Sequence, residues 1–508
     1  MRSGSSRLRD VAGRLAGLDV SASVALPAVA ALTFALSFLH IGRLSLAHDE
    51  AIGFDLATGA WDRFFDVITH RESFGALHYV LLRLWTTLGD SEAVLRSLSA
   101  IFAVLTVAVT YRVGQALFDR RVALVAAVIL AVNAYLVQFA QEARAYTLAT
   151  FAAALATLLL VRAVEQPTFL RWLVYAAAGV VCLYAHLLTA FVLVAHGATL
   201  LVAGRQRIRW DWPGLAGGII AVAAVPLVFS MLRFGPERGF IPETTPTVVR
   251  DVLEQLAGGG TSPGSGGLSL LGLYVAMVAL AGLATIRTLA ERGRGEAWRH
   301  TLAFSWALLP LGLSVAFAGV QPSFIGRYQL VALPGAALLG GLAITSLKPR
   351  WAASIGLVLV VLLAARGLAY WYVEPQKDDW RAAAQFVLPR TEPRDALVYF
   401  EHWSWRPFEY HALRDAEPGL LPKRFRMPLD PSAAWYKATD LANGYDRVWV
   451  VIAARDETRF PTDFASLEGA MRARYRLAEW RRFFGVEVRL YLLNPEEAWA
   501  TRPPPSSS

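Results

Sequence analysis

Side chains able to do chemistry collect at a few points of an otherwise apolar chain of 508 residues. His48-Asp49-Glu50 follows the first apolar run, and His70-Arg71-Glu72 and His78 come soon after it. Gln141-Glu142-Ala143-Arg144-Ala145-Tyr146 closes the third run, His186 stands at the turn after the fifth, and Gly326-Arg327-Tyr328 precedes the tenth. A carboxylate at the outer surface can take the proton of an attacking hydroxyl. Arginines at the same depth can grip a phosphate bidentately and stabilise the charge it gains on leaving. The set points to transfer from a lipid phosphate, which would lie at headgroup depth with its tail between helices. Singly, each group has a plainer reading. Acids favour helix N-termini, His186 suits a helix-end hydrogen bond, and Arg144 suits a snorkelling arginine. Their collection at one membrane face carries the functional reading.

The elements that must position these groups are membrane helices. Hydrophobic residues are 55% of the chain and charged residues 18%, whereas soluble domains run near 45–50% apolar with glycine included and about 25% charged. Apolar runs near the spanning length of about 20 residues fall at 24–42, 94–117, 121–139, 146–163, 172–187, 188–204, 214–233, 268–288, 301–319, 328–346 and 351–372. Eleven spans place the two chain ends on opposite sides. With the amino terminus inside, the inner segments hold 18 basic and 7 acidic residues, and the outer segments of the membrane part hold 11 and 13. That asymmetry sets the orientation, and it accounts for the net charge of +9 without nucleic acid as a partner. The expectation is a multi-pass plasma-membrane protein with residues 1–23 cytoplasmic. Ser45-Leu46-Ala47 has the look of a cleavage site, but the apolar stretch before it exceeds the roughly 7–15 residues of a signal peptide, so it reads as a retained helix. A single cysteine excludes an intrachain disulfide framework and any Cys-rich zinc module. Helix centres nearly free of charge argue against a lipid or polysaccharide transporter driven by ions.

Residues 43–93 form a long outer loop, and loops of that length are usually functional. Within it, 76–88 is too short to span and reads as an interfacial helix with Tyr79 and Trp85 at headgroup depth. From 373 the composition changes: residues 373–508 carry 20 acidic and 20 basic side chains. Helices at Trp380–Leu388 and Asp463–Arg474 alternate with strands at Asp395–Glu401, Arg447–Ala454 and Val486–Leu492, the last half-exposed. This predicts a small extracytoplasmic α/β domain over 373–495, with a disordered tail over 496–508. In the same region His402-Trp403-Ser404-Trp405-Arg406 has the aromatic faces that stack on sugars, although packing explains two tryptophans at least as well.

Taken in order, these pieces resemble the GT-C class of membrane glycosyltransferases, within the glycosyltransferase family 39 group that includes protein O-mannosyltransferases and the lipid A aminoarabinose transferase. The resemblance rests on Asp49-Glu50, Ala76-Leu77-His78-Tyr79 with Leu84-Trp85, Ser91-Glu92 through Arg96-Ser97, and Gln141 through Tyr146. It continues through Tyr184-Ala185-His186, Arg327-Tyr328 with Leu333-Pro334, and Asp379-Trp380-Arg381-Ala382-Ala383. It implies a GT-C transmembrane domain over 24–372 and transfer of mannose or a pentose from a polyprenyl-phosphate donor, with inversion. Asp49 would be the base, Glu50 its neighbour, and Glu72 a second acid of the first loop. Arg144 and Arg327 would hold the lipid phosphate, supported by Glu142, Tyr146 and Tyr328. The acceptor would be a lipoglycan, polysaccharide, glycolipid or protein. A polymerase or ligase using a diphosphate-linked oligosaccharide is the alternative within enzymes. Gly75-Ala76 stands where many members have Pro-Pro, which favours a bacterial mannosyltransferase-like branch. Some members hold a divalent metal; Glu72 with His48, His70, His78 or His186 would have to supply it here.

Overall fold

In the computed structural model, residues 22–494 are described, except 71, 205–207, 235–242, 260–266, 320–323, 375–376, 393–394, 401–403, 416–422, 427–443 and 454–459. The expected cytoplasmic terminus, the disordered tail and Trp403 fall essentially outside the described residues. The chain divides into two compact units. One joins the residues up to Ile41 to Leu56–Glu374; the other joins Gly42–Asp55 to the chain from Pro375 onward.

The first unit is helical, and among the described residues seven helices are long and apolar enough to cross a membrane. A bent pair, Arg120–Ala131 with Ala134–Ala140, makes an eighth, and shorter apolar helices stand at Val24–Phe38, Phe169–Ala185 and Leu187–Ala203. All eleven expected runs are thus helical in a multi-pass membrane protein. The bend of 61° has a local cause. Asn133 caps the second helix by accepting from Leu136 N at 3.0 Å, and it donates to Leu256 O at 2.9 Å, so an Asn that competes for backbone groups ends one helix and begins the next. Helices Tyr146–Glu165 and Gly326–Ser346 are 78% and 83% enclosed, whereas Asp211–Arg233 and Arg350–Val373 are each 17% enclosed. The former pair is the centre of the bundle and the latter its lipid-facing rim. Gly335 permits close packing there: a Cβ on it would stand 2.6 Å from Ala307 N. Some polar groups inside the bundle pair with one another, as hydrocarbon surroundings favour. His196 Nε2 meets Thr157 Oγ1 at 2.9 Å and its Nδ1 meets Tyr175 OH at 3.1 Å.

The segment expected as one outer loop is folded into helices His48–Thr58, Trp61–His70 and Ala76–Trp85. Arg83 closes its corner, donating to Leu56 O, Ala57 O and Gly59 O at 3.5, 3.2 and 2.9 Å and stacking 3.7 Å above the Trp61 ring.

The second unit carries a five-stranded sheet ordered β2-β1-β3-β5-β4. Its strands are β1 (Asp395–Tyr399), β2 (Lys423–Arg426), β3 (Arg447–Ala453), β4 (Tyr475–Phe483) and β5 (Val486–Leu493). β1 pairs in parallel with β2 and β3; β5 pairs antiparallel with β3 and β4. Helices Trp380–Val387, Trp405–Asp415 and Pro461–Arg474 also belong to this unit. The expected half-exposed strand at 486–492 is instead largely buried. Glu487 and Arg489 are tolerated there because Arg489 Nε donates to Glu487 Oε1 at 2.6 Å, and Arg482 donates to Glu487 Oε2 at 2.7 Å. The exposed strand is β4, which the sequence reading did not include.

Candidate active site

In the membrane unit, the expected polar residues gather at the ends of its central helices. Tyr146 begins helix Tyr146–Glu165, and Arg327 and Tyr328 lie in the 3-10 turn Gly326–Ala332 that leads into Leu333–Ser346. Tyr79 OH donates to Glu72 Oε2 at 2.8 Å, and Arg144 donates to Tyr79 OH at 3.1 Å and to Tyr146 OH at 3.4 Å. Acid, phenol and guanidinium therefore form one chain. The His186 ring packs 4.8 Å from Tyr328 and 6.1 Å from Tyr146, and Arg327 lies 5.9 Å from the Tyr328 ring centre.

The electrostatics agree with this convergence. Desolvation lowers His186 to about 4, and Arg144 and Arg327 both push it the same way. His78, 1% exposed, is lowered to about 3 by burial and then by Arg144. It stays neutral at ordinary pH and meets Ala143 O at 3.2 Å. Burial, reinforced by Glu72 and opposed by Arg144, holds the Tyr79 phenol well above its usual range, so it remains a donor. Tyr79 is thus a buried member of the cluster, 3% exposed. Trp85, its expected companion, donates to Val94 O at 3.0 Å. The Glu72–Tyr79 spacing of seven residues was the one available signal for the pair.

Glu142 is half-buried next to Arg144, whose backbone N–H donates to Glu142 O at 2.8 Å. His70 is half-exposed and pairs with Asp66 on its own helix at 3.1 Å. His48, Asp49 and Glu50 form the first turn of helix His48–Thr58 and belong to the second unit. There Asp49 and His48 are half-buried, whereas Glu50 is 1% exposed and bonded to Lys377 Nζ and Ala47 N, both at 2.9 Å.

Among the described residues, no three His, Cys, Asp or Glu side chains gather as a metal site would need. Glu72 is bonded to Tyr79 and His70 to Asp66. Among the described residues the donor set does not fit a divalent metal.

Residues 75–229 match the family model for dolichyl-phosphate-mannose-protein mannosyltransferases, a segment that contains His78, Tyr79, Glu142, Arg144, Tyr146 and His186. ArnT from Cupriavidus metallidurans in the apo state superposes with a TM-score of 0.58 at 14% identity, over 92% of this chain and 98% of that one. The chain has the GT-C fold. ArnT bound to undecaprenyl phosphate gives a TM-score of 0.57 at 14% identity with the same coverage. The apo oligosaccharyltransferase of Archaeoglobus fulgidus gives 0.52 at 13% identity, over 93% of this chain and 74% of that one. No curated protein sequence matches the chain. The apolar helices and the small C-terminal sheet are therefore parts of a GT-C fold, as the resemblance in sequence implied.

Proposed function

We propose that this protein is a membrane glycosyltransferase that moves a sugar, mannose or a pentose, from a polyprenyl-phosphate donor to an acceptor hydroxyl with inversion. The observation that carries this reading is the clustering of Arg144 with Tyr146 and of Arg327 with Tyr328, the two phenol rings flanking His186, beside the Glu72–Tyr79–Arg144 chain. Two guanidinium groups and a ring of phenols suit a leaving lipid phosphate, whose charge grows as the glycosidic bond breaks. Arg144 and Arg327 bind that phosphate, and Tyr146 and Tyr328 present hydroxyls and ring edges around it. Asp49 takes the acceptor proton. Glu50 holds the helix turn that carries Asp49, and Glu72 orients Tyr79 and through it Arg144. Support comes from the ArnT complex with undecaprenyl phosphate, which shares the fold, and from the mannosyltransferase family match.

In this reading the sheet-bearing unit is extracytoplasmic. The acceptor is a cell-envelope hydroxyl, on a lipoglycan, polysaccharide, glycolipid or protein. A second reading has one specific observation in its favour: the similarity to an archaeal oligosaccharyltransferase fits transfer of an oligosaccharide from a diphosphate lipid. Purified protein offered matched donors separates the two. Turnover of polyprenyl-phosphate-mannose or -pentose supports the proposal, and turnover of only diphosphate-linked oligosaccharides sinks it.

A further inference from the structure

Within the second unit, the segment carrying Asp49 is tied to the C-terminal chain along its whole length. At its start, Arg381 donates to Gly42 O at 3.1 Å and Arg43 O at 3.0 Å. Ser45 Oγ donates to Asp379 Oδ1 and accepts from Arg381 N, both at 3.1 Å. At its end, Asp55 meets Arg406 at 3.5 Å, and Phe54 packs edge-on to Tyr410 at 4.9 Å. Between them is the buried ion pair of Glu50 and Lys377, 2.9 Å apart with side chains 1% and 7% exposed. The same Glu50 oxygen accepts from Ala47 N, so one carboxylate fixes both the opening of the helix and its attachment to Lys377.

Adjacent residues on an α-helix point about 100° apart. With Glu50 turned into its pair with Lys377, the direction of Asp49 is set by the helix turn they share. We propose that Lys377 is a positioning residue for Asp49: through Glu50 it fixes the rotation of the first helical turn and hence where the base is held. This rests on Asp49 acting as the base. It also gives a reason for the Asp379-Trp380-Arg381 motif, whose Asp379 and Arg381 grip the same segment. The sequence separation of 327 residues hides the relationship from any local pattern.

The test compares Lys377→Met, Lys377→Arg, Asp49→Asn and the double variant Glu50→Gln/Lys377→Met in the full-length membrane protein. Small misplacements remote from the chemistry cost up to about a hundredfold, so Lys377→Met is expected to lower kcat by about tenfold to a hundredfold with donor KM within about twofold. Lys377→Arg, which keeps the charge, should recover most of kcat. The double variant removes both buried charges, which restores folding stability where a single truncation does not, yet its kcat should stay low. Wild-type kcat in Lys377→Met, or full recovery of kcat in the double variant, overturns the positioning role while Asp49→Asn remains inactive. An Asp49→Asn protein of wild-type activity overturns the base assignment itself.

Discussion

Tyr79 donates its phenolic hydrogen to Glu72 at 2.8 Å while Arg144 donates to the same oxygen at 3.1 Å. A phenol in this position transmits the carboxylate's orientation to the guanidinium, and its burial keeps it protonated. Replacing Tyr79 by Phe removes both bonds and leaves the ring in place. Hydrogen bonds to charged groups contribute about 1.5–3 kcal/mol, so Tyr79→Phe should weaken donor binding by roughly ten- to a hundredfold. Titration of polyprenyl phosphate against the purified variant checks this, and unchanged affinity would remove Tyr79 from the site.

Arg144 and Arg327 are separable in the same assay. Each lies near an aromatic ring, Arg144 5.7 Å from the centre of Tyr146 and Arg327 5.9 Å from that of Tyr328. Arg327→Ala should raise donor KM by tenfold or more, consistent with a charge-assisted bond of about 2–3 kcal/mol, and leave acceptor KM nearly as it was. Equal effects on both substrates, or none on the donor, would return Arg327 to a snorkelling role.

The two depressed histidines predict an acid limit. His78 is lowered to about 3 and His186 to about 4, both from 6.5. Below pH 6.5 the unfolded chain takes up protons that the folded one refuses, so stability falls with pH across the window from 6.5 down to these values. Thermal midpoints measured from pH 7 to pH 4 should decline, and His78→Gln should flatten part of the decline. An equally steep decline in the variant would contradict the assignment to His78.

Much of the membrane architecture was legible because a spanning helix must be apolar over its full length. The eleven runs read directly as helices, whereas hydropathy alone does not show the bend at Asn133, the 3-10 turn over Gly326–Ala332 or the end of the first helix at Phe38. The sheet was harder. β4 shows no apolar alternation, since seven of its nine residues are exposed, and β2 is the charged run Lys423-Arg424-Phe425-Arg426. β5 was misjudged for the opposite reason: its charges are buried because they pair. The candidate site was legible as residue types at helix ends. Its internal order was not, because the Tyr79–Arg144 bond joins residues 65 apart and the Glu50–Lys377 pair residues 327 apart.

The most direct measurement is transfer of labelled sugar from polyprenyl-phosphate-mannose and polyprenyl-phosphate-pentose to membrane extracts, comparing wild-type protein with Asp49→Asn. Removing a general base costs about 10²–10⁴ in rate, so label should enter the acceptor fraction with wild type alone while both proteins bind donor equally. Label from both proteins at the same rate, or from neither with either donor, would contradict a base-assisted transfer from a lipid monophosphate.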